Sequence, residues 1–194
     1  MKMKKIKKTS PGLDNIPYWF YKTCNAYLAP VITTLFNKVL QTGTLPAKWK
    51  HAVITPIPKV SQPNEPSDFR PISVTLLISR LFERLLVRKH ILPSLPKESL
   101  VNQFAFKPTG STSAALVSIY HHVSKMLEDN DYAHCLSIDF SKAFDTVNHA
   151  ILLEKLSRLP LHPAVVAVIS SYLFGRTQAT KIGKEISSAL SISC

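Results

Sequence analysis

Leu136-Ser-Ile-Asp-Phe-Ser-Lys-Ala-Phe-Asp-Thr-Val-Asn-His149 is the stretch whose reading decides the fold. From Tyr132 to Phe140 the side chains alternate, with Leu136, Ile138 and Phe140 on one side and Cys135, Ser137 and Asp139 on the other, the period of a strand. Asp139 therefore falls on the less apolar face near that strand's end. Asp145 follows six residues later, with Lys142, Ala143 and Phe144 between. A carboxylate at a strand end is commonly a turn-maker or a helix cap. Here it stands among a cation, a small residue and a ring, a mixture suited to a reaction site.

Working outward, composition sets the bounds. The chain has 194 residues, 45% hydrophobic and 19% charged, enough for one ordinary domain and too apolar for a disordered one. Its formal net charge is +12. Setting aside Lys2, Lys4, Lys5, Lys7 and Lys8 leaves a basic surface, which points to a polyanionic partner. Cys24, Cys135 and Cys194 are widely spaced and form no C-x-x-C pair, so the pattern suggests neither a disulfide framework nor a zinc site and fits a reducing compartment. Pro11 and Gly12 interrupt the place where a signal peptide's apolar run would stand, and no run reaches the ~18 apolar residues of a membrane span. Residues 1–8 read as a basic disordered arm.

Toward the N-terminus, Thr9 to Tyr18 carries turn signals, and Trp19 to Cys24 fits a short helix. A second helix is expected from Pro30 through Leu35, Phe36 and Val39 to Gly43. His51 to Ile57 reads as a strand that Pro56 and Pro58 place at a sheet edge, leaving the Lys59 ammonium free for a ligand. After the Ser61 to Ser67 loop comes Asp68-Phe-Arg-Pro-Ile-Ser73, where Pro71 keeps Arg70 extended. From Ser73 a helical pattern is expected, with Leu76, Leu77, Arg80, Leu81, Arg84 and Leu85 recurring on nearly one face and Arg88 and Lys89 near the end. Its polar side is basic and suits either a nucleic-acid backbone or a solvated face complementing the helix C-terminus.

Between that helix and the central stretch lies Val101-Asn-Gln-Phe-Ala-Phe-Lys-Pro-Thr-Gly110, a loop that two buried phenylalanines would pin. Ser111 then caps a helix through Leu116, Ile119, Tyr120, Val123 and Leu127. His121 and His122 are adjacent and point about 100° apart on a helix, too divergent to chelate one metal. Downstream, Asn148 caps a helix that stops at Pro160, Pro163 opens another that ends at Gly175, and two short strands flank Gly183.

D-F-S-K-A-F-D-T-V-N-H resembles the first catalytic motif of reverse transcriptases, in the form carried by jockey-like non-LTR retrotransposons. The resemblance extends to S-P-G-x-D at Ser10, P-I-P-K ending at Lys59, F-R-P-I-S from Phe69, and a Q-x-G-F-R-x-G-x-S-T element represented by Gln103 onward, with Ala105 in place of Gly and Lys107 in place of Arg. It implies an α+β fold, the right-hand polymerase with fingers in residues 9–131 and a partial palm in 132–194, truncated. It also implies RNA-directed DNA polymerase activity on an RNA template and DNA primer, with dNTP substrates and two Mg²⁺ ions stabilising the attacking and leaving oxygens. Carried over by position, Asp139 is the catalytic metal ligand, Lys59 and Arg70 contact the triphosphate, Phe144 walls off the sugar, and Gln103, Phe104, Phe106 and Lys107 lie near the template. A compact ammonium with a bidentate guanidinium is also what a triphosphate requires chemically.

The family draws its remaining carboxylates from a Tyr-x-Asp-Asp hairpin after a Gly-x-Pro-Gln-Gly loop. Neither occurs here, since Asp145 is the last Asp. This chain alone is therefore expected to be inactive, and an unpaired palm edge is expected to limit its solubility. Two alternatives remain: a non-catalytic nucleic-acid-binding remnant of a decayed element, and a maturase-type enzyme, which fits the K-A-F-D-T-V-N-H wording less well. The expected location is intracellular, nuclear or cytoplasmic.

Overall fold

A computed structural model describes residues 8–107, 109–141 and 143–192. The basic arm up to Lys7, and Lys142 within the central stretch, lie outside the described residues. Mixed helix and sheet make the chain α+β, in two compact units. One takes the described residues up to Ser94 together with those from Val147 on; the other is Leu95–Thr146.

The first unit is built from packed helices and a sheet. Helices α1 (Tyr18–Thr23) and α2 (Asn25–Thr42) are joined through Cys24, and Gly43 at φ 64° ends α2. The start of α2 corrects the expectation at Pro30, which sits inside the helix and not in its first turn. Proline there forfeits one backbone hydrogen bond. The extra turn brings Leu28 and Ala29 onto the core, which offsets that loss.

Strand β1 (His51–Pro58) pairs antiparallel with β2 (Phe69–Val74) and parallel with β3 (Thr177–Ile182). The edge position expected from Pro56 and Pro58 is thus half right. Val53 and Ile54 have neighbours on both sides, whereas the prolines lie beyond the β3 register, where no donor is required. Short strands β4 (Glu185–Ile186) and β5 (Leu190–Ser191) both add to β3.

Helix α3 (Leu77–Leu86) starts four residues later than the apolar stripe suggested, because Ser73 and Val74 are held in the ladder opposite Ile54 and Val53. It buries Leu77, Ser79, Leu81, Phe82 and Leu86, then widens into a π-helical turn at Val87–Ile91 before α4 (Leu92–Ser94). Phe36, Trp49 and Phe82 meet in one aromatic cluster, with ring centroids 5.1 to 6.0 Å apart. Val165 and Val168 of α7 (Pro163–Leu173) close the core, and α6 (His149–Ser157) precedes that helix.

The second unit consists of a short 3₁₀ turn at Lys97–Leu100, a loop, α5 (Thr112–Asp129) and an irregular segment. Ser111 caps α5 by accepting from the Ala114 N–H, 3.0 Å away. No residue of α5 is buried. The strand expected over Tyr132 to Phe140 does not form, and Leu136, Ile138 and Phe140 are exposed. Alternation specifies two faces but not a neighbour, and among the described residues no strand meets this segment's backbone groups.

Candidate functional site

Lys59 and Arg70 arrive together through the register of the β1–β2 hairpin. Ile57 faces Arg70 and Pro58 faces Phe69, so Lys59, whose N–H donates to the Asp68 carbonyl at 2.7 Å, lies diagonally across from Arg70. Both side chains are exposed. The expectation of a wholly free ammonium needs correction: Lys59 Nζ donates to the Ser67 carbonyl at 2.7 Å, which leaves two of its three donors for a ligand. The loop that holds it is itself ordered by Asp68. Its carboxylate accepts from the N–H groups of Asn64 and Glu65, and these bonds, with Lys59 nearby, hold Asp68 below the usual carboxylate range.

In the second unit, Gln103 Nε2 donates to the Ala105 carbonyl at 2.9 Å and Lys107 Nζ donates to the Leu100 carbonyl at 2.8 Å. Phe104 is half-buried, but Phe106 is 90% exposed, so the loop is not pinned by two buried rings. Its anchor is instead backbone on backbone, with Gly110 so close to Phe104 that a Cβ at 110 would stand 2.0 Å from the Phe104 oxygen. A positive φ occurs one residue after Ala105, at Phe106 with φ 59°. The exposed Phe106 ring meets Phe144 edge-on, centroids 6.3 Å apart, joining a residue expected near the template to the one expected under the sugar.

Asp139 is exposed in the irregular segment, and Asp145 is exposed in the turn that follows. Among the described residues, no group of three or more His, Cys, Asp or Glu side chains comes together to hold a metal. Asp139 can supply one carboxylate, but the residues present do not by themselves fit a two-ion centre, where hard cations take several oxygen ligands. The adjacent His121 and His122 are both exposed on α5.

Two features escaped the sequence reading. Arg80, placed there only as a member of the recurring helix face, ties the Ser-Pro-Gly loop to α3: its guanidinium donates to Thr9 Oγ1 at 2.7 Å and to the Ser10 carbonyl at 2.6 Å. Gly12 packs there so tightly that a Cβ would lie 2.8 Å from the Leu76 Cα. Glu83 is the second. It lies half-buried beside Leu45, Leu86 and Tyr172 in a cavity of about 290 Å³, accepting from Ser79 Oγ at 3.0 Å. The Ser79-to-Glu83 spacing of four was the available signal, since it puts both on one helix face.

The chain matches the model of the reverse transcriptase (RNA-dependent DNA polymerase) family over residues 57–191. That span holds every proposed site residue from Lys59 to Phe144. The chain belongs to the reverse transcriptase family, and its relatives are polymerases of non-LTR retrotransposons. It is 33% identical over 180 residues to the "Probable RNA-directed DNA polymerase from transposon BS" of Drosophila melanogaster, covering 87% of this chain and 19% of that protein. It is 30% identical to the "Probable RNA-directed DNA polymerase from transposon X-element" of the same fly, over 92% of this chain and 20% of that one. With the "RNA-directed DNA polymerase from mobile element jockey" identity is 29%, over 88% and 19%. The chain thus spans about a fifth of the length of these curated relatives. Among the described residues no helix is long and apolar enough to cross a membrane.

Proposed function

We propose that this chain is the fingers, residues 9–131, and part of the palm, residues 132–194, of a non-LTR retrotransposon polymerase that adds dNTPs to a DNA primer on an RNA template. The observation that carries this reading is the family match over residues 57–191, supported by the register that places Lys59 diagonal to Arg70. Lys59 and Arg70 take the triphosphate, Phe144 the sugar, and Gln103, Phe104, Phe106 and Lys107 the template. Asp139 gives one carboxylate to the divalent metal that such polymerases use, Mg²⁺ in this reading, and the remaining ligands are absent from these 194 residues. The polypeptide by itself is therefore inactive. It acts inside the cell, in the nucleus or cytoplasm, as the absence of any paired-cysteine pattern suggests.

The test is a chimera in which residues 57–191 replace the matching segment of the jockey polymerase, assayed by primer extension. Templated incorporation is expected, with a loss of about 10²–10³-fold on Asp139→Asn, as for removal of a group that stabilises the transition state. A folded chimera that extends primers equally well with Asn at 139 would overturn the assignment. A second reading, binding without catalysis, is favoured by the unpaired cations of α3 and its π-turn. Among the described residues the one ion pair is Arg158 with Glu154, leaving Arg84, Arg88 and Lys89 uncompensated.

A further inference from the structure

The cavity of about 290 Å³ beside Glu83 lies wholly inside the first unit, where α3, its π-helical turn, α6 and α7 come together. It is roughly twice the ~150 Å³ void that accepts benzene in an apolar core, so a ring with a short tail fits. Ile91 of the π-helical turn, Leu156 of α6, and Ile169, Tyr172 and Leu173 of α7 line it, each only half-buried, so apolar surface is left for an occupant to cover. One charged group shares this lining, the Glu83 carboxylate of α3. Among the described residues Glu83 forms no ion pair. Ser79 Oγ donates to its Oε1 at 3.0 Å, and among the same residues no donor engages Oε2. The two cations whose charge acts on this carboxylate are held by other partners. Arg80 is bonded to Thr9 and Ser10, and Arg176 donates to the Tyr172 carbonyl at 3.3 Å while stacking on the Tyr172 ring. A carboxylate in an apolar wall without a bonded cation is costly, and a cation delivered to it would remove that cost.

We propose that this cavity binds a small arylalkyl ammonium compound, its ring against Leu156, Ile169 and Leu173 and its ammonium on Glu83 Oε2. Few convergent polar groups in an apolar cavity are the usual makings of a small-ligand site, and here the one charged group is an acceptor. A plain hydrocarbon would cover the walls but leave the carboxylate unpaired. An organic anion would set like charge against it, and a polyamine would answer the charge with no apolar body to fill the space. An ammonium donates a charge-assisted hydrogen bond to the oxygen that lacks one. The site uses none of Lys59, Arg70 and Asp139, and calls on neither metal, nucleotide nor nucleic acid.

The experiment is a methyl chemical-shift titration of the full 194-residue chain with 2-phenylethylamine, 2-phenylethanol and phenylacetate, which share a ring and differ in charge. Failure of the polymerase reading would leave its result untouched. The amine should move the methyl resonances of Leu156, Ile169 and Leu173 and bind about tenfold more tightly than the alcohol, the worth of one charge-assisted hydrogen bond. Phenylacetate should bind more weakly than either. Glu83→Gln keeps the side chain's shape and the acceptor for Ser79, so the fold is retained, and it should bring the amine and the alcohol to equal affinity. Leu156→Trp fills the cavity from α6 and should abolish binding of both; should that variant misfold, the comparison of wild type with Glu83→Gln still decides. No shift with the amine at millimolar concentration would overturn the proposal. So would phenylacetate binding as well as the amine, a preference for the amine that survives Glu83→Gln, or shifts confined to residues outside the cavity.

Discussion

Helices α3 and α5 were read from the same kind of signal, apolar residues recurring at helical spacing, and they met opposite fates. Ten residues of α3 bury five side chains against α2, α7 and the aromatic cluster. Eighteen residues of α5 bury none, and Tyr120 keeps 75% of its surface exposed. The difference teaches that periodicity names the face a helix would bury, while burial itself depends on a second surface of matching shape. Within the first unit, residues distant in sequence supply that surface.

The largest expected effect separates these regions by energy. Trp49→Ala removes a ring packed on Phe36 and Phe82 and should cost about 3–5 kcal/mol in denaturant unfolding, the usual range for a buried aromatic. Tyr120→Ala on α5 should change stability by less than about 0.5 kcal/mol. If the two costs proved similar, α5 would be covered in solution and the contrast would fail.

Exposure does not make the second unit indifferent to change, and Gly110 sharpens the point. A methyl at 110 collides with the Phe104 backbone, which cannot rotate away as a side-chain tip could. Gly110→Ala should therefore cost more than about 1 kcal/mol of local stability. Hydrogen exchange of residues 103–110 is the readout. Protection equal to the wild type would show that the loop does not hold this close approach.

A smaller effect concerns how α5 begins. Ser111→Ala leaves the Ala114 N–H without its acceptor and should cost about 1 kcal/mol of helix stability. Because α5 buries no side chain, that loss should appear as lower helicity by circular dichroism with little shift in global unfolding. The matching change at Asn148, which accepts from the Ile151 N–H at the start of α6, should instead move the global transition: α6 also buries no side chain completely, but it packs on α7 and its Leu156 lines the cavity beside Val168 and Tyr172, so its loss reaches the core. Identical behaviour of the two caps would erase the distinction between the units.

Local chemistry was the legible part of this sequence. Both side-chain caps, the Pro163 helix start, the Gly43 and Gly175 stops and the hairpin around Gly183 follow from one residue's preferred geometry and needed no knowledge of the rest. What required partners was misread. Ser73 looked helical because Leu76 and Leu77 continue the stripe, but β1 claims it for a ladder, and a ladder partner fifteen or more residues away leaves no local trace. Tyr132 to Phe140 erred in the other direction, with alternation present and, among the described residues, no strand beside it to pair. At the site, motif wording led to Lys59, Arg70 and Asp139, while the tether from Lys59 to Ser67 and the ring contact of Phe106 with Phe144 depend on loop closure. The tether made by Arg80 left no local trace for the same reason, since its partners lie some seventy residues back.

The smallest effect probes the covered side of the contrast through charge. Burial pushes the Glu83 carboxyl above its ordinary range, and the Ser79 hydroxyl, Arg176 and Arg80 pull it back only in part. Arg176 stacks on Tyr172, its guanidinium carbon 4.3 Å from the ring centre, so the cation is shared with an aromatic neighbour and does not pair with Glu83. A carboxyl whose pKa is raised on folding binds its proton more tightly in the native state. Its favourable contribution is therefore complete below the unfolded value, about 4.3, and is lost as pH rises through the higher folded value. Glu83→Gln removes the titration while keeping an acceptor for Ser79. The Tm of the variant should gain on that of the wild type as pH is raised from 4 toward neutrality, a gap that scanning calorimetry at several pH values can follow. A gap that stays constant would place Glu83 in water, and the covered face of α3 would then resemble α5 more closely than its packing implies.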